Sequence, residues 1–283
     1  MLYVLYKNTG VHSGRALRKM LAGLVSEQVK GGYPKRFASL VRAGEKPSMI
    51  INLGVTDDLP YEGEFINDQD MVRAASNKRK ARQIFAEQGI PAPVLYLEPS
   101  AVTKDDLPVI GRTSYHHKGR GFWYCKTLPD VRRAARDGAT HFLEFIPNTR
   151  EYRVHTFIKR KYLETEGRET EHYVSIKISE KVWQGEGQPN RLEPQKNHNF
   201  GWTFLGPQNR REEELDLVRH AAKQAIAALG IDFGAVDVMY RIRTKEAYVL
   251  EVNSSPSLSD DNANTCEVYA NRILKTIGND KDE

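Results

Sequence analysis

Cysteine is nearly absent from this chain. Its 283 residues hold two, Cys125 and Cys266, in unrelated contexts and without metal-ligand spacing. A disulfide framework and a cysteine zinc site are thereby excluded, and a reducing, cytoplasmic setting is the expectation. Long apolar runs are missing as well. The opening MLYVLY meets Lys7 at once, too short for a signal peptide or for the ~20 residues of a membrane span. It reads as a buried first strand, and no membrane partner is expected. There is no repeat and no low-complexity segment. Nor is there a strong charge imbalance: 42 basic residues face 37 acidic ones, for a net charge of +5. Phosphate-binding residues alone account for so mild an excess, which is compatible with a polyanionic partner without requiring one. What the chain does have is length and 40% hydrophobic residues, enough to bury a core in one large domain or in several small ones.

The most informative stretch runs from Gly230 to Leu258, GIDFGAVDVMYRIRTKEAYVLEVNSSPSL. GAVDVMYRI and AYVLEVN are rich in β-branched and aromatic residues, and Arg243-Thr244-Lys245-Glu246 breaks them. The spacing predicts an antiparallel hairpin centred on Thr244. Asp237 and Glu251 each lie seven residues from that centre and should oppose each other, with Cβ atoms roughly 4.5–5.5 Å apart. Asn253 shares their face, while Val236, Val238, Leu250 and Val252 point into a core. Two carboxylates and an amide are hard oxygen donors, suited to Mg²⁺ bound with water and phosphate oxygens. Taken alone, Asp237 and Glu251 are more simply read as the solvated face of an amphipathic hairpin. The small polar loop after the strand, Asn253-Ser254-Ser255-Pro256-Ser257, weighs against that, because such loops carry function.

V-D-V followed by E-V-N-x-x-P-x-L resembles the metal-binding end of the ATP-grasp ligases, a family that includes the D-alanine:D-alanine ligases and the ribosomal-protein glutamate ligases. Further stretches follow in that family's order. Asn77-Lys78, a basic helix through Arg79, Lys80 and Arg82, and then Gly89-Ile90-Pro91-Ala92-Pro93 resemble the segment leading into the family's lid. Charge alone makes that helix a solvated face; the resemblance makes Lys78 a phosphate ligand. Leu107 to Lys126 holds a strand ending at Arg112, where the family usually has Lys, and the loop His116-His117-Lys118-Gly119-Arg120-Gly121. Glycines let backbone N–H groups turn toward an anion, although a lone G-x-G is most often a turn. The resemblance implies that Arg112, Gly119 and Gly121 bind phosphate and leaves open whether His116 and His117 touch phosphate or substrate. HFLEFIPNTREYRVHTF reads by pattern as a hairpin, and it resembles the hinge between lid and C-terminal domain. That match implies adenine held near the Phe145 and Ile146 backbone, with Glu144 by its amino edge. It also implies that Glu151 takes the ribose hydroxyls and that Arg153 reaches phosphate or acyl phosphate. Tyr152 and Val154 should be core. Lys177 lies in a strand over Tyr173–Ile178, where snorkelling is the plainer reading; the family places a phosphate-binding Lys there. Asn199, in the long polar stretch 179–208, matches an Asn that precedes the metal strand in the glutamate-ligase branch.

Elsewhere the periodicity predicts a helix through Arg15 to Gln28 capped by Ser13, a strand over Pro47–Leu53 and a short one over Phe65–Asn67. It also predicts a helix over Glu212–Leu229 stopped by Gly230, and a last helix over Cys266–Ile277. The expected fold class is α/β. With the resemblance it becomes an ATP-grasp fold: a small α/β domain (1–75), a linker helix and lid (76–145) and a metal- and ATP-binding domain (146–283), with nucleotide between two sheets.

The implied chemistry is an ADP-forming carboxylate–amine ligation with ATP and Mg²⁺ as cofactors, two ions being expected and Mn²⁺ able to substitute. Asp237, Glu251 and Asn253 would hold the metal, Lys78, Arg112 and Lys177 would stabilise phosphoryl charge, and Arg153 a tetrahedral oxyanion. The partners would be a carboxylate and an amine, small or macromolecular. Two other readings stand beside it: a phosphotransferase of the same fold, and a nucleic-acid-binding protein using Arg79, Lys80, Lys118 and Arg120 as a basic face.

Overall fold

The apolar run Leu2–Tyr6 forms β1, buried along its whole length in the manner of a parallel strand covered on both faces. The computed structural model describes residues 1–59, 61–114, 121–147, 149–158, 173–186, 196, 201–258 and 264–277. In the first sheet β1 pairs in parallel with β2 (Val29–Gly32) and β3 (Met49–Leu53), and β4 (Phe65–Ile66) adds to β3. The strand order is β2-β1-β3-β4. Helices α1 (Val11–Leu24) and α2 (Pro34–Arg42) make the crossovers. α1 starts and stops earlier than its periodicity predicts. Gly10, not Ser13, stands at its N-cap. Ser13 is buried inside the first turn, where its Oγ accepts from the Leu258 N–H at 3.0 Å.

Two short helices, α3 (Gln69–Ser76) and α4 (Lys78–Glu87), lead out of this sheet. The Asn77 side chain caps α4 by accepting from the Lys80 N–H, and Gly89, with φ +66°, ends it as expected. The second sheet has β5 (Leu95–Tyr96), β6 (Val109–Arg112), β7 (Phe122–Cys125) and β8 (His141–Glu144) in the order β5-β8-β6-β7. Helix α5 (Leu128–Arg136), opened by a Thr127–Asp130 capping box, covers it through Val131 and Ala134. The third sheet is antiparallel: β9 (Thr149–Ile158), β10 (Tyr173–Trp183), β11 (Trp202–Leu205), β12 (Phe233–Arg241) and β13 (Glu246–Asn253), in the order β11-β10-β9-β12-β13. Thus part of the long polar stretch 179–208 is strand. β8 and β9 are neighbours in sequence but belong to different sheets. Their segment is therefore a crossing between sheets and not the hairpin its pattern permits.

One face of the third sheet is apolar and packs under α6 (Glu212–Leu229). Tyr152, Val154, Val236, Val238, Val249 and Val252 meet Val218, Ala222, Ala225 and Ile226 there. Two buried acids tie the helix region to the sheet. Glu214 accepts both Arg150 Nη1 contacts, at 2.7 and 3.0 Å, and the Tyr152 hydroxyl. Glu180 takes a bidentate pair from Arg210. On the other face, Phe157 and Phe233 stack and meet Tyr269 of α7 (Thr265–Ile277), which joins this sheet to the core of the first. No helix among the described residues is long and apolar enough to cross a membrane.

Asn67 stitches the first sheet to the third. It is fully buried with φ +63°, a left-handed conformation that Asn tolerates better than most residues. Its Oδ1 accepts from the N–H groups of Asp232 and Phe233 at 2.8 and 3.0 Å, its Nδ2 donates to the Phe233 carbonyl, and its own N–H donates to Asp232 Oδ2. Asn67→Ala should cost about 3 kcal/mol in chemical denaturation, because it leaves buried partners unsatisfied. Asn67→Gly, which keeps the backbone conformation, should cost ~1 kcal/mol less; equal losses would deny the backbone contribution.

His155 is buried against Tyr269, its Nδ1 2.8 Å from the hydroxyl. Burial, with Arg153 and Lys177 nearby, lowers its pKa to about 3. The imidazole is therefore neutral when folded, whereas an unfolded histidine takes its proton near pH 6.5. The stability it contributes is complete above pH 6.5 and is lost as pH falls from there toward 3. Urea midpoints of the wild type should drop through that window by an amount that His155→Gln, which does not titrate, largely removes; parallel curves would refute the assignment.

Candidate active site

Successive rows across the third sheet assemble the site on the face away from α6. In the central row Ser179, Arg153, Asp237 and Glu251 lie side by side on β10, β9, β12 and β13. One row over stand Lys177, His155, Ala235 and Asn253. The opposition of Asp237 and Glu251 agrees with the spacing, but the hairpin reaches it by another route. Its turn closes at Arg241–Glu246, which by itself would put Leu250 opposite Asp237. A β-bulge between the Val238–Val249 and Asp237–Glu251 pairs shifts the register by one residue and brings Glu251 into place. Leu250 is the extra residue and is half-buried rather than part of the α6 core, a correction to the simple alternation. A second bulge lies between Ser175 and Lys177 on β10. Without it Lys177 would oppose Val154 and point into the apolar core; with it Lys177 opposes His155 on the site face. Its Nζ donates to Thr265 Oγ1 at 2.7 Å.

Both carboxylates are counter-charged. Arg153 donates to Asp237 from Nε and Nη2 at 2.8 and 2.9 Å, and its guanidinium lies over the Phe204 ring, 4.3 Å from the centroid. Lys78, at the start of α4, pairs with Glu251. Arg82 stands four residues on, hence on the same helix face as Lys78. Arg112 and His141 oppose each other at the end of the β6–β8 pair. Burial lowers the Arg82 pKa to about 10 against the pull of Glu251, and it lowers Arg112 too, again opposed by Glu251. The same desolvation, together with Arg82, Arg112, Arg79 and Lys78, pushes His141 down to about 4, so it is neutral near pH 7. Three cations from α4 and the second sheet, Lys78, Arg82 and Arg112, thus gather around a single carboxylate of the third sheet.

Glu151 lies beyond Arg153 on β9. Lys181 donates to it at 2.6 Å and Lys196 sits at 3.4 Å. Burial raises its pKa, but the two lysines outweigh that and hold it below the usual range. Glu144 ends β8 and accepts from the Val94 N–H at 3.3 Å. Phe145 lies edge-on to Tyr124, Ile146 is buried, and both fall where the chain leaves the second sheet for the third. Gly121, with φ +60°, packs against Thr113 so closely that a Cβ would come within 2.6 Å of its Oγ1. Gly119, His116, His117 and Asn199 lie outside the described residues. Asn253 Oδ1 accepts from the Ser255 N–H at 2.9 Å. Ser255 in turn seats on Gly10 and Gly54, at the carboxyl ends of β1 and β3; a Cβ on Gly54 would sit 2.7 Å from that of Ser255.

These residues fit Mg²⁺ and a nucleotide polyphosphate. The donors are hard oxygens on adjacent strands. Arg82 Nη1 is a buried guanidinium nitrogen without a hydrogen-bond partner, a donor left over for an anion. Among the described residues no group of three His, Cys, Asp or Glu side chains forms a metal cage. Arg82, His141, Lys181 and Phe204 were not singled out from sequence. Arg82 and Lys181 had a signal: the four-residue spacing from Lys78, and the alternation Lys177, Ser179, Lys181 along one strand. His141 and Phe204 had none, since their place depends on which strands pair.

No protein-family model and no curated protein matches this chain. Solved structures match its fold. D-alanine–D-alanine ligase from Bacillus anthracis superposes with a TM-score of 0.65 at 12% identity, over 98% of this chain and 99% of that one. The ATP-grasp ligase PsnB, complexed with minimal precursor, gives 0.63 at 12% identity over 97% and 98%. N5-carboxyaminoimidazole synthase from Aspergillus clavatus, in complex with ADP and 5-aminoimidazole ribonucleotide, gives 0.63 at 14% identity over 89% and 69%. At such identities the likeness is one of architecture, and by that architecture this chain has the ATP-grasp fold.

Proposed function

We propose that this protein is an ATP-dependent carboxylate–amine ligase that forms an amide bond and releases ADP and phosphate. The observation that carries the proposal is the Arg153–Asp237–Glu251 row with Lys78, Arg82 and Arg112 gathered against it. Acids that would bind metal stand in contact with bases that would bind phosphate, Asp237 with Arg153 and Glu251 with Lys78, and an unpartnered Arg82 nitrogen is left beside them. The binding of known ATP-grasp enzymes to ATP, as in D-alanine–D-alanine ligase from Bacillus anthracis complexed with ATP, supports the same reading.

On this account Lys78, Arg82 and Arg112 hold the triphosphate, Glu151 receives the ribose hydroxyls, and Glu144 with the Phe145–Ile146 backbone holds adenine between the second and third sheets. Asp237, Glu251 and Asn253 would hold Mg²⁺, which when bound neutralises phosphoryl charge. A substrate carboxylate oxygen attacks the γ-phosphorus, the bond to the β-phosphate bridging oxygen breaks, and ADP and an acyl phosphate result. A substrate amine then attacks the acyl carbon and phosphate leaves. Arg153, released from Asp237, stabilises the oxyanion, while Lys177 and the lysines by Glu151 add to the positive field. Residues 1–75, 76–145 and 146–283 would act as acceptor domain, lid and metal domain.

ADP and phosphate release should require a carboxylate and an amine together when amino acids and peptides are supplied singly and in pairs; AMP and pyrophosphate would sink the acyl-phosphate route. Asp237→Asn and Glu251→Gln should each lower turnover by ~10³-fold or more with melting temperatures near wild type. Turnover retained in both would remove the metal assignment.

A further inference from the structure

A cavity of about 460 Å³ opens beside β2, the edge strand of the first sheet, and shares no lining residue with the site above. Its charged lining is all of one sign: Arg15, Arg18, Lys19, Lys30 and Arg36, with no carboxylate. Arg15, Arg18 and Lys19 follow the i, i+3, i+4 spacing of one helix face on α1, where like charges repel. Arg36 comes from the first turn of α2, which carries no acidic residue. Lys30 is paired with Glu45. The other four make no ion pair or hydrogen bond among the described residues. Arg18 is half-buried as well.

The strand is shaped to hold the arginines in place. A Cβ on Gly31 would come within 3.0 Å of Arg18 Cδ, and one on Gly32 within 2.8 Å of Arg36 Cδ. The two glycines let both side chains lie across the β2 backbone. Tyr6 and Tyr33, edge-to-face at 5.3 Å, make the apolar wall. A cleft of one sign with apolar walls concentrates counter-ions, and guanidinium forks match carboxylate and phosphate oxygens alike. The volume is that of a small-molecule site, which suits a compact ligand better than a duplex.

We propose that this cavity binds a compact polyanion, a small molecule or peptide end bearing two or more carboxylates or phosphates. α1 links it to the active site, since Ser13 holds Leu258 of the loop after β13 while Arg15 and Arg18, within two turns, line the cavity. The further assignment of the polyanion as the anionic body of a ligase substrate rests on the function proposed above; its binding does not.

The test is calorimetric titration of the full chain with triglutamate and, separately, with inorganic tripolyphosphate, at low salt and with ADP saturating the nucleotide site. At least one should bind, and which one names the anion. Arg18→Gln/Arg36→Gln should weaken binding about tenfold or more, added salt should weaken it further, and Arg42→Gln, exposed at the other end of α2, should leave it unchanged. If the double variant melts early, Arg36→Gln alone carries the comparison, with a smaller loss expected. No binding of either ligand, or wild-type affinity in the arginine variants, overturns the proposal. ATP turnover measured alongside separates the two ideas, because polyanion binding without ADP-forming turnover would count against the ligase reading alone.

Discussion

The pairing of β12 with β13, one residue out of its turn-defined register, is the constraint on which the site depends. Were the hairpin regular, Asp237 would face Leu250, and Glu251 would lie off the central row. The bulge at Leu250 aligns Asp237 with Glu251. The bulge at Ile176 does the same for Lys177. A one-residue slip moves a side chain to the other face of a sheet, so each bulge decides whether a charged group lies on the face away from α6 or in an apolar core. Bulges next to functional sites re-aim side chains in this way.

The third sheet separates two kinds of buried charge. Toward α6, Glu214 with Arg150 and Tyr152, and Glu180 with Arg210, are closed sets in which every acid has its donors. They fix the sheet to its helix and leave no valence for a ligand. On the opposite face, Asp237 with Arg153 and Glu251 with Lys78 are partly exposed, and an unpartnered Arg82 nitrogen stands near. Pairs of that kind can exchange partners: metal for the acids and phosphate for the bases. The first sheet and the loop Asn253–Leu258 close this face through Ser255 on Gly10 and Gly54, at the point where the strand order reverses on either side of β1 and β3. Ligands gather at such switch points in parallel sheets.

Much of this was legible in the sequence. The alternation in β9 and β12 and the stripe of α6 with its Gly230 stop follow from local period and spacing. The bulges were not legible, because an extra residue has no marker in a run of apolar and polar side chains; the right opposition emerged from a turn centre half a residue off. β2 and α2 gave no signal, since Gly31 and Gly32 weaken the strand pattern while serving the arginines above them. Ser13 resembled a cap because a hydroxyl near a helix start usually is one, yet its partner is a backbone N–H 245 residues away. Arg82 with Arg112 and His141 shows the general limit. They come from a helix and two strands of another sheet, and only the tertiary arrangement makes them one cluster.

The most direct test of the account is a crystal structure with ADP and Mg²⁺. The account predicts magnesium on Asp237, Glu251 and Asn253 and the nucleotide between the second and third sheets, with Arg153 and Lys78 moved from their carboxylates toward phosphate oxygens. Nucleotide bound elsewhere, or bound while both carboxylates keep their present partners and no metal, would contradict it.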